Sequence, residues 1–345
     1  MMWKFNYKRI VELLLVMLFM GGFTACNSDE DVLGPGADVP SNPSVPSAPG
    51  DDVPSNPSEP LPPVSYYRPK TSLSQANCNK VYEYLPAPGQ FINETKTGGF
   101  TDKHTTQQAA IAYAKERFAN GIWVSLGGFG GYVVVGFDHS IDNTGGYDFA
   151  VVGNSFNNSS EPGIVWVMQD ENGDGMPNDT WYELRGSETG LPTTLQNYAV
   201  TYYRPTEPCK PVKWTDSEGQ SGEIDYLKAY HKQDYYYPLW VESDSYTLTG
   251  TRLEAKNYDQ SGKGSYWVLP TFDWGYADNF SSIDRLTPKS VDNRFKISDA
   301  VDSEGKAVVL DYIDFVKVQT GVNSKSGWLG EVSTEVAGFY DCSMK

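Results

Sequence analysis

Apolar residues in this chain come in short runs, and most of the runs have strand texture. Segments 132–137, 147–152 and 163–168 are near-continuous apolar stretches bounded by Gly-rich turns, which predicts strands. Segments 181–184, 198–203, 266–269, 308–310, 313–319 and 333–337 are short, β-branched or aromatic, and separated by Gly, Asn, Asp and Pro. They predict further strands. One stretch has helical texture. Thr105 and Gln108 stand at capping-box spacing, Ala109, Ile111, Ala112, Tyr113, Ala114 and Phe118 follow, and Gly121 offers a stop. This predicts a helix over 106–119. Many short strands with turn signals between them predict a mainly β fold, a sandwich or a barrel.

The N-terminus has another pattern. Lys4, Lys8 and Arg9 precede an apolar run from Leu13 to Phe23. That run is too short for a permanent span of a ~30 Å hydrocarbon layer, so it predicts a removable signal. It closes on Phe23, Thr24, Ala25 and Cys26, the form of a lipoprotein signal with lipid attached at the Cys26 sulfur. An ordinary signal peptide beside a chance cysteine is the alternative. Residues 1–25 are therefore read as signal peptide and 26–65 as lipidated cysteine plus tether. The tether repeats itself, Asp38 to Pro46 returning almost unchanged as Asp52 to Pro60. Such a Pro/Ser/Asp-rich stretch buries too little apolar surface to fold, and its prolines favour extended chain. Residues 66–345 are the folded body.

Charge narrows the partners. The 345-residue chain carries a formal net charge of −17, and residues 27–65 hold seven acids and no base. An acidic field of this size repels nucleic acid and anionic lipid head groups and attracts cations. Cys78, Cys209 and Cys342 remain besides Cys26. One disulfide with a free thiol, or three buried thiols, both fit that count.

The sharpest chemical motif is the loop of Asp170, Asn172, Asp174, Gly175, Met176 and Asp179. Oxygens at positions one, three and five with Gly at six match the front of a calcium loop. The Met176 carbonyl and the Asp179 carboxylate would complete the ligands. Trp181 stands where an EF-hand has its bidentate acid, so a structural Ca²⁺ fits better than a sensor. A metal-free Asx/Gly turn is the alternative. Asp138, Asp148 and Asn154 are weaker cation candidates. Catalytic patterns are missing: there are three histidines, His104, His139 and His231, and neither a Gly-x-Ser-x-Gly elbow nor a His-Glu-x-x-His helix. The expectation is a non-enzymatic protein with no catalytic residue assigned.

Gly130 to His139, Gly146 to Phe156, Gly163 to Val167 and Trp181 to Leu184 resemble a bacterial jelly-roll module of the galactose-binding-like type. Segments 295–302 and 313–318 resemble the strands that close that sandwich. The resemblance implies a jelly-roll-like β-sandwich with one short helix and a long aromatic-rich insertion at about 190–285. Glu83 to Asn93 and Gly327 to Val336 resemble a family of Bacteroidetes cell-surface lipoproteins. The acidic residues Asp29, Glu30 and Asp31 behind Cys26 resemble the Bacteroidetes signal for export to the outer face of the outer membrane. Membership implies a lipid-anchored, outward-facing protein that serves a TonB-dependent transporter, with cobalamin as the associated nutrient.

Within the insertion, Tyr226, Tyr230, His231, Tyr235, Tyr236, Tyr237 and Trp240 crowd fifteen residues, and Trp274 follows. Flat faces with polar tips suit sugar rings or a corrin macrocycle. Tyr230, His231, Tyr235, Tyr236, Tyr237, Trp240 and Trp274 are thus the expected ligand residues, with packing between strands as the other use for such side chains. A carbohydrate-binding or glycan-processing surface module is the alternative function.

Overall fold

Six antiparallel strands make the central sheet, in the order Lys80–Leu85, Tyr132–Asp142, Tyr312–Thr320, Gly163–Met168, Tyr182–Leu184 and Ala300–Val301. The computed structural model describes residues 65–95 and 104–345. The expected signal peptide, Cys26 and most of the tether lie outside the described residues. Among the described residues, no helix is long and apolar enough to cross a membrane.

The middle strands, Tyr132–Asp142, Tyr312–Thr320 and Gly163–Met168, are buried on both faces, which explains their near-continuous apolar runs. Val165 and Val167 pair with Val318 and Val316 and point into the main core. A second layer closes that core: Phe149–Val152 lies between Asp292–Phe295 and Gly338–Asp341, and Val124–Ser125 pairs with Glu335–Val336. On the other face Ile164 joins Leu253, Leu269, Phe272 and Tyr276 in a separate cluster. The result is the expected mainly β, jelly-roll-like sandwich, with one α-helix among the described residues.

That helix, Gln107–Ala119, buries Ala110, Tyr113, Ala114 and Phe118 on one stripe. Its cap is Thr106, whose hydroxyl accepts the Ala109 N–H at 3.2 Å. The capping pair therefore sits one residue later than the Thr105–Gln108 spacing predicts. Gly121 follows at φ +63° and ends the helix as expected.

The insertion begins as a sheet of its own, in the order Ser245–Arg252, Leu195–Tyr203, Val212–Asp216 and Ser221–Ile224. Tyr198, Val200, Tyr202, Val212, Ile224 and Leu248 bury its inner face against Ala87 and Phe129. Of these strands, the sequence pattern marks only 198–203. Val212–Asp216 alternates buried and open positions and Ser221–Ile224 buries only its last residue, so neither shows an apolar run. The opposite error occurs at 308–310, where an apolar triplet forms no strand and Val309 is 89% exposed. Cys78, Cys209 and Cys342 are all free thiols. Burial pushes Cys78 and Cys342 up to about 12.

Candidate functional site

The tyrosine-rich segment divides into two sets. Tyr236, Tyr237 and Trp240 are core residues, 1%, 0% and 6% exposed. The Tyr236 hydroxyl donates to the His231 carbonyl and accepts the Leu227 N–H. The Tyr237 hydroxyl donates to the Ser243 carbonyl, and Arg204 stacks on its ring at 4.5 Å. These side chains anchor the segment and do not face a ligand space.

Tyr230 and Tyr235 do. With Asn93, Glu94, Lys232 and Gln233 they line a cavity of about 710 Å³. Its wall is tied from both sides. Asn93 Nδ2 donates to the carbonyls of Tyr235 and Tyr237 at 2.8 Å each, and Gln233 Nε2 donates to those of Gln90 and Ile92. Asn93 sits at φ +58°, a conformation Asn tolerates well. Tyr230 is exposed, and its ring centre lies 6.1 Å from that of the exposed Trp328. His231 is turned away, edge-on to Phe91 at 4.9 Å. Desolvation lowers its pKa, and its Nδ1 is buried without a partner.

Trp274 belongs to another cleft, of about 330 Å³, lined also by Tyr147, Ile283, Arg185, Arg294 and Lys296. Arg294 stacks on Tyr147 at 4.2 Å. Asp284, at the floor, accepts the Gly275 N–H and an Asn293 amide proton, and burial raises its pKa. Three cations and two acids, Asp284 and Asp299, thus line the cleft, and Arg185 pairs with Asp299 at 3.5 Å.

The Asp170 loop is closed by its own hydrogen bonds. Asp170 accepts the N–H groups of Gly173 and Gly175, Asp174 accepts that of Met176, and Asp179 accepts that of Glu171. Asn172 accepts the Asp174 N–H and donates to Asn178. Asp138 and Asp148 are likewise engaged, Asp138 with Gln75 N–H and His139, Asp148 with Thr144 and Ile297.

The converging acids are elsewhere. Glu161, Asp278 and Glu335 bring carboxylate oxygens within 4.8 Å of one another, the one such group among the described residues. Sequence reading missed them, since 174 positions separate the first from the last and none stands in a motif. Asn154, a weak candidate from the sequence, does reach this cluster, through its main-chain N–H to Asp278 Oδ1 at 2.8 Å. Burial and mutual repulsion push Asp278 up to about 8, and burial pushes Glu161 up to about 7.

His139 and Ser140 point to opposite faces, as adjacent strand residues must. His139 is held between Asp138 and Asp341, while Ser140 donates to Asp314 at 2.6 Å. No known family model matches the chain, and no curated protein sequence matches it.

Proposed function

We propose that this chain is a surface-tethered binding lipoprotein that captures a small nutrient, with a corrinoid as first candidate, for a TonB-dependent outer-membrane transporter. The observation that carries this reading is the cavity of about 710 Å³ lined by Tyr230 and Tyr235. It lies within the size range of small-molecule sites. Its lining mixes ring faces with amide and charged tips, which suits a flat ligand fringed with polar groups. The acidic field argues against nucleic acid as a partner. In this reading a lipid on Cys26 would anchor the chain, and the Pro-rich sequence of 26–65 would join the anchor to the folded body.

The test is titration calorimetry of the purified full chain with cyanocobalamin, read together with the visible spectrum of the corrinoid. Binding is expected, and the double variant Tyr230→Ala, Tyr235→Ala is expected to weaken it at least about tenfold, from the loss of aromatic contact. No heat and no spectral change at high micromolar protein would end the corrinoid reading. The second reading, a carbohydrate-binding module, is favoured by the Trp274 and Tyr147 faces of the other cleft. It predicts glycan binding that Trp274→Ala removes and the tyrosine variant leaves intact.

A further inference from the structure

We propose that Glu161, Asp278 and Glu335 form a divalent-cation site, sized for calcium, that staples three distant segments of the sandwich. The three side chains come from the loop before the Gly163–Met168 strand, from the loop after Ala277, and from the short Glu335–Val336 strand. Their oxygens lie within 4.8 Å of one another, and Asp278 and Glu335 are buried. No ion pair joins any of the three to a Lys, Arg or His among the described residues. Three carboxylates packed this closely without a counter-charge repel strongly in a desolvated setting.

The surroundings point to an ion and away from a self-contained acid cluster. Asp278 is aimed by main-chain N–H bonds from Asn154 and Glu335, one to each of its oxygens. It sits at φ +52°, so the backbone accepts a left-handed conformation in order to place this carboxylate. Gly153 is needed beside it, because a Cβ there would stand 2.6 Å from Asp278 Oδ1. Two buried polar atoms at the cluster have no hydrogen-bond partner. One is Glu335 Oε1. The other is the hydroxyl of Ser155, a residue 2% exposed that follows Asn154, whose N–H bonds Asp278. A proton shared between Glu161 and Glu335 would neutralise charge but would leave the Ser155 hydroxyl unmatched. A cation matches it, since carboxylate and hydroxyl oxygens are hard donors.

The donor set selects the ion. It holds oxygen only, with neither imidazole nor thiolate, which disfavours zinc and copper. Asp278 is already held by an N–H bond on each oxygen, which disfavours rearrangement to the strict octahedron that magnesium requires. Calcium takes six to eight oxygens in irregular geometry. Glu161 is the partly accessible member and marks the way in. The Asp278 loop also carries Trp274 and Asp284, and Asn279 and Asn293 link it to the cleft through paired amide bonds. The ion would therefore hold the Trp274 cleft in shape.

The experiment compares thermal unfolding of the full chain in millimolar calcium and in chelator, with equilibrium dialysis to count bound ions. Calcium is expected to bind near one ion per chain and to raise the melting temperature by about 5 °C or more, as ligand linkage at a hundredfold excess over Kd implies. Glu335→Gln is expected to abolish the shift, and Asp174→Asn, in the exposed loop, to keep it. Absence of bound calcium in the wild-type chain overturns the proposal, and that measurement stands even if E335Q does not fold. A shift retained in E335Q, or one lost in D174N, overturns it equally.

Discussion

The Asp170 loop and the Glu161 cluster are both acidic, and they differ in what satisfies their oxygens. In the loop, oxygens from neighbouring residues accept neighbouring N–H groups, so the motif supports its own turn. In the cluster, residues far apart in sequence meet with no ion pair to a basic side chain among the described residues, and buried polar atoms stay unpartnered. A contiguous motif is easy to see, yet its side chains hold the turn without outside help. A discontiguous cluster is invisible in sequence, and its unmet demand is what points to a ligand.

The glycines give the largest test of that difference. Gly153→Ala places a Cβ 2.6 Å from Asp278 Oδ1 and 2.9 Å from its Cα, where backbone must move. A loss of about 3 kcal/mol in urea unfolding is expected. Gly175→Ala in the loop meets nothing within 4 Å but must keep φ +71°, so the loss there is about 1 kcal/mol. Equal losses would erase the distinction between steric demand and turn geometry.

Glu183 sharpens the comparison, being a buried acid with partners. It accepts from the Thr251 hydroxyl, and Lys317 lies near enough to interact. Burial pushes its pKa from 4.5 to about 7. The folded state then binds the proton more tightly than the unfolded chain. Its contribution is fully present below pH 4.5 and is lost as pH rises through about 7. That loss is on the order of 3 kcal/mol, and Glu183→Gln should flatten this part of the stability profile measured by urea titration at each pH. A slope unchanged in E183Q would assign the effect to other acids.

The smaller effect belongs to the loop itself. Asp170→Ala leaves the Gly173 and Gly175 N–H groups without their acceptor, at a cost of about 1.5 kcal/mol. Calcium should not change that cost if the loop is a self-supporting turn. A calcium-dependent cost in the unfolding midpoint would return the metal to the loop.

Much of the fold was legible. Continuous apolar runs marked the middle strands of the central sheet, because a strand covered on both faces favours apolar side chains at most positions, whereas the half-open edge strand Lys80–Leu85 was not marked. The helix was readable from its alanines and its capping region, to within one residue at Thr106. The strands of the insertion were harder. Val212–Asp216 and Ser221–Ile224 keep one side open to solvent, so their pattern is that of polar linker. Composition located the aromatic segment but did not sort it. Tyr236 and Tyr237 differ from Tyr235 only in which side of the chain turns inward, in a backbone that Asn93 of another segment ties at Tyr235 and Tyr237 and that Gln233 ties back to Gln90 and Ile92.

By itself the sequence determined the fold class, the helix, the turns and the acid balance, because these depend on near neighbours and on totals. Tertiary structure alone decided which tyrosines face a cavity, that Trp274 serves a separate cleft, and that Glu161, Asp278 and Glu335 meet. Those outcomes depend on distances between residues that the chain order keeps apart, and only packing brings them within reach of a common ligand.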